Sequence, residues 1–168
     1  GDLLIINHNN YHTYGVELMN GEMVKVMDID QNVIPRKNIP IYETINGKRV
    51  KKYVTLNFRK VTIRVEHHSE EINCLIIDSL LNSPNRDLTI AEMKALYVDF
   101  VMRFQEKQKD KKEKGLPYFK VGSEEFKEQL KSDTYFNALR VKYGYAITCH
   151  KAQGGEWKTT FVDYYGRT

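Results

Sequence analysis

Two Asn-Gly pairs constrain residues 2–66 most strongly, because Asn and Gly accept the positive φ that tight β-hairpins require. Asn20-Gly21 precedes a regular alternation of apolar and polar residues. Asn46-Gly47 precedes two further apolar segments at residues 54–56 and 61–65. Short strands separated by such turns are typical of a small barrel. The sequence therefore predicts β structure throughout this part of the chain.

Two helices are predicted in the middle of the chain by their N-terminal caps. Thr89 and Glu92 have the spacing of a capping box. Apolar residues follow at helical spacing at Ile90, Met93, Tyr97, Phe100 and Phe104. Ser123 is suited to capping a second, shorter helix. Between them, the lysine-rich residues 107–114 are interpreted as a solvated helix end, with a DNA-contacting track as the alternative.

Composition narrows the class of protein. The chain has 168 residues, 41% of them hydrophobic, which suits one ordinary domain or two small ones. Its net charge of +4 indicates only a mild attraction to polyanions. Cys74 and Cys149 lie far apart without metal-ligand spacing, so we expect no metal site. No apolar run approaches the roughly 18 residues that span a bilayer, and we expect no membrane partner.

The segment from residue 145 to residue 157 is the most informative for chemistry. It lies between two predicted strands, a largely buried one at residues 141–148 and another at 160–164. A strand ending here would deliver Thr148 and His150 to the sheet edge where ligands of α/β sheets usually bind. The paired glycines permit close backbone approach to a ligand, and Glu156 is suited to a sugar hydroxyl.

Thr148, His150, Gln153, Gly154 and Glu156 occur in one fixed pattern. This pattern resembles motif V of superfamily 1 helicases, Thr-x-His-x-x-Gln-Gly-x-Glu, in the form typical of RecD-like enzymes. Residues 135–140 extend the resemblance upstream. Three other segments are similar to the opening of the SH3-like insertion, subdomain 2B, of the same family: residues 1–2, 9–11 and 20–22.

The resemblance implies roles for individual residues. Thr148 and His150 would face the DNA backbone or support residues that do, and Lys151 would contact a phosphate. The candidate DNA-binding residues are Thr148, His150, Lys151, Asn10 and Tyr11. The candidate nucleotide-binding residues, at the cleft between motor domains and near the ribose, are Gln153, Gly154, Gly155 and Glu156. Asn10 and Tyr11 have turn and core roles as their alternative.

The predicted fold class is α+β. We expect an SH3-like small β-barrel with a helical insertion, plus strands of an incomplete RecA-like α/β domain. The predicted division gives residues 1–70 to the barrel, 71–134 to a mixed strand and helical insertion, and 135–168 to a partial RecA-like 2A segment with motif V. Because Gly1-Asp2 leads directly into an apolar strand, we expect a segment of a longer protein.

The motifs that hydrolyse ATP are not found. A phosphate-binding loop needs Gly before its Lys, whereas Trp157 stands before Lys158. Asp78 ends an apolar run but is followed by Ser79, where helicases usually place Glu. With neither Walker motif nor motif VI, we expect no catalytic residues and no ATP hydrolysis by this chain alone. ATP and Mg²⁺ would be cofactors of the intact protein.

The resemblance implies a parent ATP-dependent DNA helicase of the bacterial cytoplasm, similar to the exodeoxyribonuclease V alpha type and acting in DNA repair or recombination. Its partners would be single-stranded DNA and the remaining motor domains, with a possible dimer through exposed strand edges. One alternative is a non-catalytic module that binds nucleic acid or protein. Another is an unrelated enzyme using His150 and Glu156, which would be active without DNA or ATP.

Overall fold

The computed structural model describes residues 1–65, 70–146, 159, 161 and 162. The elements in these residues are β1 (Leu3–Ile6), β2 (Met23–Ile45), β3 (Lys48–Val65), β4 (Glu71–Ile77), α1 (Asp78–Leu81), α2 (Ile90–Glu113), α3 (Glu124–Ser132) and β5 (Val141–Tyr143). The strands form one sheet in the order β4-β3-β2-β1-β5, with antiparallel neighbours. The predicted α+β class is confirmed.

A long hairpin of β2 and β3 dominates the sheet. Its turn has Asn46 at φ 50° and Gly47 at φ 75°, and Ile45 pairs with Lys48, as predicted for an Asn-Gly turn. Both strands are much longer than the predicted apolar segments. Three register shifts interrupt the pairing, one of them beside Asn38, which has a φ of 57°. Such bulges let the strands twist and continue through polar residues.

The two ends of the sheet approach each other without closing a barrel. Leu139 makes one parallel bridge to β4: its N–H donates to the Leu75 carbonyl at 2.7 Å, and its carbonyl accepts from Ile77 at 3.0 Å. The Leu75 N–H donates to the Tyr14 hydroxyl at 3.3 Å. The sheet is thus open, unlike the expected small barrel, because β2 and β3 continue as a two-stranded ribbon beyond their neighbours.

The sheet extends over all three predicted segments. β4, which lies in the second predicted segment, pairs with β3. β5, which lies in the third, pairs with β1. Strands from all three segments therefore form one hydrogen-bonded sheet. The apolar run at residues 72–81 forms β4 followed by α1. The division into three segments stays a prediction.

Two apolar clusters stabilise this layer. The first is centred on Leu4, Ile63 and Ile76 and includes Leu18 from the loop after β1. The second joins the hairpin to α2, where Ile41 and Phe58 of the hairpin belong to the same cluster as Leu96. The hairpin is therefore packed on the first half of α2 instead of projecting freely.

Both predicted helix caps are confirmed. The Thr89 hydroxyl accepts from the Glu92 N–H at 3.2 Å, and the Thr89 N–H donates to the Glu92 carboxylate at 2.7 Å. The Ser123 hydroxyl accepts from the Phe126 N–H at 3.2 Å at the start of α3. The apolar stripe of α2 is only partly buried, since Phe100 is buried whereas Ile90 is 69% exposed.

The strand predicted at residues 141–148 is shorter in the part that the structure describes. β5 covers Val141–Tyr143, and Tyr143 and Tyr145 are 43% and 65% exposed. A largely buried strand is therefore wrong for residues 141–146, because β5 ends at Tyr143 and both Tyr143 and the following Tyr145 are exposed. The strand predicted at 160–164 lies outside the described residues except for 161 and 162, which are not in a strand.

We expect the Cys74 thiol to make the fold sensitive to alkali. Its burial raises its pKa to about 12, whereas a thiol in an unfolded chain ionises near pH ~8.5. Below that pH both states keep the proton. From there toward pH 12 only the unfolded state releases it, so the unfolding free energy should fall by up to about 1.4 kcal/mol per pH unit.

The measurement is chemical denaturation between pH 7 and 10.5 on a Cys149→Ser background, which leaves Cys74 as the sole thiol. Adding Cys74→Ala should remove the thiol's part of this pH dependence. In parallel, a thiol-reactive dye should label Cys74 only after unfolding. Labelling of the native protein at the rate of a free thiol would contradict the burial.

Candidate nucleic-acid interface

The end of the β2–β3 hairpin sorts its side chains onto two faces. Ile41 pairs with Lys52, and Tyr42 pairs with Lys51. Because successive side chains of a strand point to opposite faces, Ile41 and Lys52 share one face, and Tyr42 and Lys51 share the other. Ile41 is buried in the cluster with α2, so its face is the inner one. The outer face is defined here by Tyr42, Arg49, Lys51 and Tyr53.

Cations and aromatic rings alternate on the outer face. The Arg49 guanidinium carbon lies 4.1 Å from the centroid of the Tyr42 ring, and the Lys51 ammonium lies 5.2 Å from that of Tyr53. A hydrogen bond with Tyr53 raises the pKa of Lys51. The two rings are 47% and 62% exposed. Exposed rings can stack on bases while adjacent cations meet phosphates.

The positive charge of the protein is concentrated in this hairpin. Residues 36–53 contain six Lys or Arg and one Asp or Glu, a formal charge of +5, against +4 for the whole chain. The one acid, Glu43, binds Lys52 at 2.6 Å, and this hydrogen bond lowers the Glu43 pKa. Within residues 1–65 and 70–146, no carboxylate lies within 4.0 Å of the Arg49 or Lys51 cation. The outer face therefore presents uncompensated charge.

An ionic network fixes the base of the hairpin against α2. Buried Asp99 accepts from Arg36 of β2 at 2.9 Å and from Arg103 of α2 at 2.8 Å. Arg103 also forms a two-bond pair with Asp133 at 2.6 and 2.8 Å. Burial opposes the charge of Arg103, but hydrogen bonds to Asp133 and Asp99 raise its pKa above the ordinary value. This network gives the hairpin a defined orientation before any ligand arrives.

Asn10 and Tyr11 occupy different environments. The Asn10 amide is 8% exposed, donates to the Asn137 carbonyl at 2.9 Å and accepts from the Thr13 N–H at 3.2 Å. It ties the first loop to the segment after α3. Tyr11 is 46% exposed, and its hydroxyl accepts from Asn9 at 2.5 Å. As DNA contacts both stay predictions, and Tyr11 is the more accessible.

The remaining predicted site residues lie outside the described part of the chain. They are Thr148, His150, Lys151, Gln153, Gly154, Gly155 and Glu156. The structure therefore does not relate them to Asn10, Tyr11 or the hairpin, and their roles stay predictions. Upstream, residues 135–140 are described, and there Leu139 joins the edge of β4.

Two further properties concern the described residues alone. No group of three or more His, Cys, Asp or Glu side chains in residues 1–65 and 70–146 is arranged to hold a metal ion. In the same residues, every helix is too short or too polar to cross a bilayer.

The outer face was not predicted from the sequence as a binding surface, although the sequence contains a pattern that indicates one. Residues 48–53 directly follow the Asn46-Gly47 turn. Four of these six residues are Lys or Arg, and the last is Tyr53. A basic run interleaved with aromatic residues on a predicted hairpin indicates a polyanion-binding surface.

Comparisons of the chain with protein-family models, curated proteins and solved structures gave no match. The functional argument therefore depends on the geometry of the hairpin and on the residues of the chain itself.

Proposed function

We propose that this chain binds single-stranded DNA through the outer face of its β2–β3 hairpin. The observation that carries the proposal is the pairing of Arg49 with Tyr42 and of Lys51 with Tyr53 on one exposed face. Stacking on an aromatic side chain contributes about 1–3 kcal/mol per base and tolerates any sequence. We therefore expect affinity without strong base preference.

Single strands suit this face better than duplexes. The exposed rings of the outer face can stack only on bases whose own faces are free, and paired bases inside a duplex are already stacked on each other. The phosphates of either form can meet Arg49 and Lys51, so these charges alone do not favour a single strand. Stacking is thus the part of the binding free energy that favours a single strand over a duplex. Duplex DNA of the same length should therefore be a poor competitor for the bound single strand.

The test is fluorescence anisotropy with a labelled thymidine oligomer of about 16 nucleotides across a salt series. The Arg49→Ala, Lys51→Ala double variant should reduce the slope of log affinity against log salt by about 1.4, since each lost phosphate contact removes about 0.7. The Tyr42→Ala, Tyr53→Ala double variant should weaken binding about tenfold or more with little change in that slope.

Matched controls are available in the same hairpin. Lys48→Ala, Lys52→Ala removes two positive charges from the inner face, where Lys52 pairs with Ile41 in the register. It should change affinity much less than the outer-face charge variant. Tyr42→Phe, Tyr53→Phe should retain stacking. Equal losses from the inner and outer charge variants would reduce the proposed site to a net-charge effect.

We further propose that the chain belongs to a superfamily 1 helicase motor. The support is the spacing of Thr148, His150, Gln153 and Glu156 in the sequence. On this proposal residues 1–70 correspond to the SH3-like 2B insertion, and residues 135–168 belong to a partial RecA-like 2A segment. The intact motor would bind ATP and Mg²⁺ and act in repair or recombination in the bacterial cytoplasm.

The same anisotropy experiment includes a Thr148→Ala, His150→Ala, Lys151→Ala variant. Weakened binding by this variant would support a DNA contact at the motif V-like block. If it loses binding while the outer-face variants keep theirs, the DNA contact lies in that block and not on the hairpin. The alternative of a module without a motor is distinguished by sequencing the parent gene for a phosphate-binding loop.

A further inference from the structure

A second basic and aromatic surface lies at the opposite end of α2 from the hairpin. This surface, the arm tip, comprises residues 107–121. It contains six Lys and two Asp or Glu, a formal charge of +4. Its loop exposes four large apolar side chains, at 40% to 52% of their area: Leu116, Tyr118, Phe119 and Val121.

The arm tip repeats the chemistry of the outer face. The Lys112 ammonium lies 5.5 Å from the centroid of the Tyr118 ring, and that of Lys111 lies 5.8 Å from the centroid of Phe119. Neither lysine has a carboxylate within 4.0 Å in residues 1–65 and 70–146. Exposed rings bracketed by free cations are suited to a single strand, as at the hairpin.

The loop that carries these rings is held in place. The Phe119 N–H donates to the side-chain oxygen of Gln108 at 3.0 Å, and Gln108 is only 5% exposed. The Leu116 N–H donates to the Lys111 carbonyl at 2.9 Å, and Gly115 has the positive φ, 68°, that this turn requires. A ring that is already positioned loses little entropy on stacking.

We infer that the arm tip is a second contact for the same single strand that binds the hairpin. The inference rests on the proposed function and adds a length requirement to it. The charge of +4 favours a polyanion over an apolar protein surface as the occupant. Two linked contacts bind a long ligand more tightly than either alone, because the second binding event is intramolecular.

The distance between the contacts sets the required strand length. The hairpin packs near Lys94 and Ala95, and Lys111 of the arm tip lies about 17 residues further along α2. At about 1.5 Å per residue the two surfaces are about 26 Å apart along the helix. A stacked strand with about 3.4 Å between phosphates covers this span with about 8 nucleotides, and a stretched strand needs fewer. Affinity should therefore rise steeply as an oligomer reaches this length.

The experiment measures the affinity of the full chain for thymidine oligomers of about 4, 8, 12 and 20 nucleotides. The Lys111→Ala, Lys112→Ala and the Tyr118→Ala, Phe119→Ala variants should each lower affinity for the 20-mer about tenfold or more. A 4-mer is too short to reach both surfaces and should bind each one separately. In the arm-tip variants its affinity for the hairpin should be unchanged, and the number of 4-mers bound per protein should fall by one. The matched control is Lys127→Ala, Lys131→Ala, because these lysines lie on α3 outside the arm tip and pair with Glu124 and Glu128.

The outcomes separate the inference from the function on which it rests. Arm-tip variants that keep the full length dependence would overturn the second contact while leaving the hairpin site intact, and would direct attention to a protein partner for this loop. An equal loss in the Lys127, Lys131 control would overturn the inference, because the effect would then come from net charge. Loss in the arm-tip variants alone, with outer-face variants unaffected, would sustain the arm-tip contact and refute the hairpin.

Discussion

Replacing Asp99 with alanine should lower the free energy of unfolding by about 3 kcal/mol, because two arginines would keep their charge and lose a shared carboxylate. Asp99 is 5% exposed and bonds both Arg36 and Arg103. The side chains of these arginines are 35% and 24% exposed, so the loss should fall at the lower end of the range for broken buried ion pairs. Urea denaturation monitored by circular dichroism measures this loss of unfolding free energy.

The Asp99→Asn variant is the control for shape. It keeps the volume and one acceptor oxygen but removes the charge, so its loss should be intermediate. The Arg64 and Glu71 pair, about half exposed on both sides, supplies a surface comparison: Glu71→Ala should cost less than about 1 kcal/mol. A similarly small loss for Asp99→Ala would mean that water screens the network as it does a surface pair.

Replacing Phe126 with alanine should cost about 3–4 kcal/mol, because its ring fills the contact between α2 and α3. Its centroid lies 5.2 Å from that of Phe100 and 5.0 Å from that of Phe104, in edge-to-face geometry. The side chain is 4% exposed. Phe126 is the buried residue of α3. We therefore expect this helix to detach from α2 before the rest of the protein unfolds. Faster hydrogen exchange of the α3 amides would show the detachment, and the denaturation midpoint would give the loss of stability.

Two variants bracket the Phe126 result. Phe126→Leu preserves most of the apolar volume and should cost less than about 1.5 kcal/mol. Phe119→Ala removes the same ring from a position that is 40% exposed, and its effect on stability should stay within about 0.5 kcal/mol. Equal losses at positions 126 and 119 would contradict the packing described for α3.

Local signals made α2, α3 and the hairpin turn predictable. A capping box depends on residues three apart, so Thr89 and Glu92 were sufficient to place the start of α2. The turn at Asn46 and Gly47 depends on two residues that accept positive φ. In each case the deciding contact is formed within one short segment, and no distant part of the chain is needed.

The length of β2 was not predictable from local preference. Pro35 and Pro40 argue against a strand, since proline lacks the N–H that a ladder uses. In the structure both pair with β3, whereas the pairing of β2 with β1 ends at Lys25. This part of β2 therefore has a strand partner on one side only, and a residue without N–H is tolerated there. The edge position of β2 in the folded sheet therefore permits prolines that local preference excludes from a strand.

The outer face was hidden for a related reason. Whether Arg49 or Lys48 shares a face with Tyr42 depends on the register of β2 against β3, and a shift of one residue exchanges the faces. Three irregularities in this pairing precede the tip. The basic run was visible in the sequence, but its division into an inner and an outer set required the structure.

The two prolines of β2 also bear on solubility. A long strand with one free side is a template on which another chain can add a strand, and this is a route to aggregation. Pro35 and Pro40 each remove one donor from that row, so no continuous ladder can form along it. The long free side of β2 is therefore a poor template for further copies of this chain.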